Sequence, residues 1–215
     1  MNRKLLAVYK RLLREFGPQG WWPAETPFEV IVGAILTQST SWQNVEKAIQ
    51  NLKKAGLLSP DGLRKVPLRN LAVLIRPALY YNVKARKLKR FMDFLYGNYD
   101  GNLDLLLSRP AGQLREELLS VWGVGPETAD SIVLYAAHKP SFVIDAYTKR
   151  IYWRLGMLSE DVSYDEAKRF FEDGLPKDVL LYQEYHALIV ELGKRYCRTK
   201  PVCVECCLKN YCRFG

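Results

Sequence analysis

The chain has 215 residues, 48% of them hydrophobic, enough for one large domain or two smaller ones sharing a core. Its 32 Lys and Arg against 23 Asp and Glu leave a net charge of +9, the balance of a protein with a polyanionic partner such as nucleic acid. No apolar run approaches the roughly 20 residues of a bilayer span. Lys10 and Arg11 break the opening stretch before a signal-peptide core can form. The expectation is a protein with no membrane partner, intracellular (cytoplasmic, nucleoid-associated) in location.

Helical spacing dominates from the start. Leu5, Tyr9, Leu12, Leu13 and Phe16 recur on one face until Gly17-Pro18 stops the first helix. Thr26, Pro27 and Glu29 read as a capping box opening a helix that carries Phe28, Ile31 and Ile35. Thr40 and Gln43 repeat the device for a helix ending near Gly56, and Ser59-Pro60 and Val66-Pro67 open two short ones. "YNVKARKLKRFMDFLYG" makes a helix with one very basic face, and Pro110 begins another through Leu114 and Leu118. "ETADSIVLYAAH" sets Ala129, Ile132, Val133 and Ala136 on one face, and "SFVI" is the single candidate strand. Ser163 and Glu166 form a third capping box, and a long helix runs from Val179 to about Tyr196. The pattern predicts an all-α chain of about ten helices. His138 and His186 read as ordinary helix residues without a partner.

Every cysteine lies in "CRTKPVCVECCLKNYC" near the C-terminus. Cys197, Cys203, Cys206 and Cys212 are separated by gaps of five, two and five residues. Four thiols so spaced suit a compact inorganic centre, either a structural zinc ion or an iron–sulfur cluster. Cys207 is adjacent and could replace Cys206, but the reading takes Cys206. Arg198, Lys200, Lys209 and Arg213 interleave with these ligands, where they would offset thiolate charge or reach DNA phosphates.

The other informative stretch centres on Gly123-Val124-Gly125, a glycine turn between two helices whose backbone N–H groups and following helix start would cradle a phosphate. Asp145 follows at the start of a new helix. Hairpin, then aspartate, then four-cysteine tail, together with "GAILTQSTSWQNV", "YNVKARKL", "GVGPETAD" and "FVIDAYTKRI", resemble the helix-hairpin-helix DNA glycosylases of the endonuclease III type along nearly the whole chain. The resemblance implies Asp145 as the catalytic carboxylate and a 4Fe-4S cluster on Cys197, Cys203, Cys206 and Cys212. The first cysteine gap is shorter than the family's usual one. A second resemblance, through "GWWPAETPFEVIVGAILTQST" and "GPETAD", is to the type III 3-methyladenine DNA glycosylases. It differs in that the known member of that branch lacks the cluster.

These resemblances imply a base excision repair N-glycosylase that hydrolyses the glycosidic bond of a flipped alkylated purine. Glu127 occupies the place of the lysine that makes endonuclease III a lyase, and a carboxylate forms no Schiff base, so the activity is expected to be monofunctional. Trp21, Trp22, Trp42 and Glu127 are the expected base pocket, the tryptophans by cation–π contact with a cationic base. Gln38, Tyr81, Asn82, Gly123, Val124, Gly125, Arg198 and Lys200 are the expected DNA contacts. Leu79 stands where the family typically has glycine. The expected architecture is two helical lobes, 26–137 with the hairpin and 1–25 plus 138–215 with the cluster, with a groove for double-stranded damaged DNA and Asp145 between them, in a monomer. An oxidised-pyrimidine or mismatch glycosylase, with or without lyase activity, and a non-catalytic DNA-binding module are the alternatives.

Overall fold

The structure, a computed structural model, describes residues 2–214. The chain divides into two compact units, Met1–Pro23 with Pro140–Gly215, and Ala24–Lys139. Among the described residues there are twelve α-helices and no strand, so the fold is all-α, as expected. None of these helices is long and apolar enough to cross a membrane.

Helix α1 (Arg3–Phe16) buries Leu5, Val8 and Leu12, and the Asn2 side chain caps it by accepting from the Lys4 N–H at 3.0 Å. The Ala24–Lys139 unit is built around α2 (Pro27–Leu36), in which every residue from Phe28 to Leu36 is buried. Such a helix is a core element rather than an amphipathic surface one. Thr26 caps it, its Oγ1 accepting from the Glu29 N–H at 3.1 Å. The capping box expected there does not close. The Glu29 carboxylate instead accepts from the Glu25 N–H and pairs with Lys53 at 3.0 Å, a charge-assisted contact stronger than a second backbone bond. Nor does the box at Thr40 and Gln43 form. Ser41 is the N-cap of α3 (Trp42–Lys54), without a side-chain cap bond, and Thr40 Oγ1 accepts from the Asn44 amide at 3.2 Å.

The unit continues through α4 (Pro60–Lys65), α5 (Leu68–Leu74), α6 (Tyr81–Tyr99), α7 (Leu103–Ser108), α8 (Ala111–Ser120) and α9 (Pro126–Ser131). The sequence pattern leaves α7 unmarked. Helix α9 runs on into a π turn over Ile132–Ala136 whose five residues are all buried, a wider face than the expected stripe.

The basic face of α6 is largely turned to internal use. Lys84 is buried, and its ammonium donates to the carbonyls of Leu36 at 2.8 Å and Ala78 at 2.6 Å. Lys89 donates to Leu63 and Arg64 carbonyls at 2.7 and 2.8 Å, at the end of α4. Helix ends leave carbonyls unpaired, and these lysines satisfy them from outside.

In the other unit α10 (Ala146–Arg154), α11 (Tyr164–Gly174) and α12 (Val179–Arg195) join α1 around an aromatic core. Phe142 stacks on Phe171 with centroids 4.1 Å apart, and Tyr152 meets Phe171 edge-on at 4.6 Å. The capping box at Ser163 and Glu166 is complete. "SFVI" is not a strand. Phe142, Val143 and Ile144 are buried. The Phe142 N–H donates to Glu172 Oε1 at 2.9 Å and the Ile144 N–H to the Tyr164 hydroxyl at 3.4 Å. Side chains thus take the part a neighbouring strand would have played.

Lys84→Met leaves two carbonyls without their donor and is expected to destabilise the protein by about 1–3 kcal/mol. Burial, with Lys87 nearby, holds the Lys84 ammonium at about 8, against 10.5 for a free lysine. Between those values the unfolded chain binds more protons than the folded one, so Lys84 makes stability rise with pH there. Denaturant unfolding from about pH 8 to about pH 10 should show this slope in the wild type and lose it in the variant.

Candidate active site

Asp145 ends the buried extended segment and caps α10. Its Oδ1 accepts from the Thr148 N–H at 2.7 Å and from the Thr148 hydroxyl at 2.8 Å. Its Oδ2 lies 3.7 Å from His186 Nε2, the two side chains being 11% and 5% exposed. The reading of His186 as a helix residue without a partner is therefore overturned. The partner arrives from another helix, through packing of α12 against α10. Gly193 permits that approach, since a Cβ there would come within 2.2 Å of the Tyr147 ring. The His186 ring also stacks with Trp21 (centroids 5.6 Å, 26°), and Trp21 with Trp22 (5.4 Å, 22°). Burial alone would raise the Asp145 pKa. The His186 imidazole and the two Thr148 donors outweigh it and hold the carboxyl below its ordinary value.

The hairpin belongs to the other unit. Gly123 has φ +89°, the left-handed backbone that glycine allows, and a Cβ there would fall 2.5 Å from the Lys87 side chain. Gly125 has φ −93° and open space around its missing Cβ. Val124 is buried and its N–H donates to the Val121 carbonyl at 3.0 Å, so that group serves the turn itself. Gln38, just beyond α2, ties the hairpin down. Its amide donates to the Gly123 carbonyl at 3.1 Å and to Thr128 Oγ1 at 2.9 Å, while its Oε1 accepts from Lys87. Glu127 is exposed in the first turn of α9, and Trp42 is half-buried as the first residue of α3.

Tyr81 and Asn82 open α6, the first half-buried and the second exposed. Two exposed apolar side chains precede them: Leu79 (φ +58°, 49% exposed) and Tyr80 (φ +44°, 67% exposed). Sequence reasoning passed over Tyr80, although two consecutive bulky residues after Pro77-Ala78 carry the signal.

At the tail, Cys197, Cys203, Cys206 and Cys212 line one cavity together with Arg154, Tyr196 and Phe214. Cys207 is not among the lining residues; its carbonyl accepts from Arg11. Among the described residues no group of three or more His, Cys, Asp or Glu is placed to hold a single metal ion. Four thiols lining one cavity are a donor set suited to an inorganic centre. The cation organising them is Arg154 of α10, which the sequence did not single out. Buried, it donates to Cys197 Sγ at 3.3 Å, to the Arg198 carbonyl at 2.7 Å and to the Thr199 carbonyl at 3.1 Å. Arg198 and Lys200 are exposed on the loop that Arg154 holds.

A helical hairpin in one unit, and a buried carboxylate and four-cysteine loop in the other, are features of a DNA glycosylase of the endonuclease III-like class. Residues 32–177 match the HhH-GPD superfamily of base excision DNA repair proteins, and the chain belongs to that superfamily. It is 53% identical over 207 residues to a protein of Methanocaldococcus jannaschii that bears the name of a DNA repair glycosylase, covering 95% of this chain and 94% of the relative. A trapped endonuclease III–DNA covalent intermediate superposes with TM-score 0.86 at 25% identity, over 100% of this chain and 97% of the other. The H. pylori 3-methyladenine DNA glycosylase bound to 1,N6-ethenoadenine superposes with TM-score 0.78 at 28% identity, over 91% and 98%. The protein is a base excision repair DNA N-glycosylase.

Leu79 combines φ +58° with ψ 163°, a region open essentially to glycine. That conformation costs about 1–3 kcal/mol in a residue with a side chain. Leu79→Gly should therefore stabilise the fold by about 1 kcal/mol once the greater freedom of unfolded glycine is deducted. Thermal unfolding checks this, a rise in Tm being the expected result.

Proposed function

We propose that the protein is a monofunctional glycosylase that removes alkylated purines from double-stranded DNA. The observation that carries the lack of lyase activity is Glu127, in the first turn of the hairpin's second helix, where a lyase of this class would present its Schiff-base lysine. The lesion class rests on Trp21 and Trp22, stacked beside the Asp145–His186 pair. A purine alkylated at N3 or N7 carries positive charge, so it leaves readily. A flat electron-rich surface attracts it by cation–π contact, worth about 1–2 kcal/mol when desolvated. The H. pylori relative named for 3-methyladenine supports this reading.

The damaged nucleotide flips out of the duplex at a cost of a few kcal/mol, least for a weakened pair. The hairpin binds one stretch of backbone, Gln38 fills the stack that the flipped base vacates, Tyr81 and Asn82 contribute from their loop, and Arg198 and Lys200 add sequence-blind attraction. As the C1′–N bond breaks, its electron pair leaves with the base and neutralises the base's charge. The Asp145 carboxylate faces the cationic sugar and accepts a proton from the water that bonds to C1′. Free base and an abasic site result.

The cavity lined by Cys197, Cys203, Cys206 and Cys212 would hold a 4Fe-4S cluster, with the Arg154 guanidinium beside the Cys197 sulfur favouring its charged form. When bound, the cluster would supply a structural cross-link of the tail, remote in role from the reacting atoms.

Duplex DNA treated with dimethyl sulfate should release 3-methyladenine or 7-methylguanine with the wild type and neither with Asp145→Asn, which should still bind DNA. Borohydride should trap no covalent adduct on abasic DNA. A trapped adduct, or release only from oxidised or mismatched duplexes, would replace this reading with the oxidised-pyrimidine or mismatch one.

A further inference from the structure

We infer that His186 is a positioning residue for glycosidic-bond hydrolysis. Held against Trp21, its imidazole faces Asp145 Oδ2 and keeps the buried carboxylate charged and fixed. This rests on the reading of Asp145 as the catalytic carboxylate.

Three facts carry it. Oδ1 of Asp145 is committed to the two donors of Thr148, which leaves Oδ2 for a second partner, and His186 Nε2 stands 3.7 Å from it. His186 is 4% exposed, so water contributes little to the pair. The ring that stacks on His186 is Trp21, one of the tryptophans proposed for the base pocket. One imidazole therefore touches both the carboxylate and the recognition aromatic. Among the groups around it, α10 presents Asp145 and the neutral Thr148, the segment before Pro23 presents Trp21, and α12 carries Lys194, whose Nζ lies 5.8 Å from the Trp21 ring centroid.

A partner of this kind acts through the carboxylate's protonation state. Asp145 has its pKa lowered in the fold, with His186 the largest favourable cause against burial. Without His186 the burial effect gains ground, and the carboxylate should be protonated at higher pH. The acid limb of the kcat profile should then move upward in pH. Substrate binding should change little, because His186 acts on a group that matters in the transition state.

The test uses dimethyl sulfate-treated duplex DNA with wild-type protein, His186→Gln, His186→Phe and Asp145→Asn. The Phe variant keeps a ring against Trp21 and removes both ring nitrogens, Nε2 among them. Both His186 variants should lose between about tenfold and about 10²-fold in kcat, with KM within about twofold of wild type. Carbon-13 NMR of labelled aspartate should show the Asp145 carboxyl titrating at higher pH in both variants. That readout does not depend on activity, and a role in packing alone would not move it in the Phe variant. Wild-type kcat, acid limb and carboxyl titration in the His186 variants, with Asp145→Asn inactive, would overturn this inference alone. Full base release by Asp145→Asn would overturn the catalytic reading and this inference with it.

Discussion

A carboxylate taken out of water costs several kcal/mol unless its surroundings replace the lost hydration. Asp145 is 11% exposed, and its surroundings come from three places in the chain. The first turn of α10 supplies two donors from Thr148, α12 supplies His186, and the aromatic pair before Pro23 backs the imidazole. Phe142, Val143 and Ile144 lead into it as a buried extended run with side-chain partners for its N–H groups. The packing of α1, α10, α11 and α12 can be seen as the scaffold that brings these partners to one charge.

Cations play a matching part elsewhere. The net charge of +9 suggests a surface for a polyanion, yet several of the positive groups work inward. Lys84 and Lys89 close helix ends, Lys87 holds Gln38, and Arg154 gathers the carbonyls and one sulfur of the cysteine loop. Composition counts charges but not their direction. Arg86, Arg90, Arg198 and Lys200 are exposed.

Local signals were the legible ones. Helix spacing, the Thr26 cap, the Ser163 box and the glycine turn all lie within a few residues of their own consequences, and the hairpin, the aspartate and the cysteines are each a short motif readable by itself. What escaped the sequence depends on contacts distant along the chain. His186 has no acidic residue three or four positions away on its own helix, and it meets Asp145 because Gly193 lets α12 approach Tyr147. Arg154 looks like any basic residue at a helix end until the tail folds onto it. The false strand at Ser141–Ile144 has the composition of a strand because it is buried like one, but no second strand exists among the described residues. The two failed capping boxes had competing partners, Lys53 for Glu29 and Asn44 for Thr40, that spacing alone does not rank.

Gly123 is a socket as much as a turn. The space where its side chain would stand is filled by the stem of Lys87, and the head of that lysine holds the Gln38 amide that in turn grips the Gly123 carbonyl. Positions 38, 87 and 123 thus form a closed loop of volume and hydrogen bonds. Residues so coupled do not change independently. A methyl group at 123 would be felt first at 87, and through the Lys87 ammonium at 38. In a lineage of such proteins these three positions should drift together or not at all.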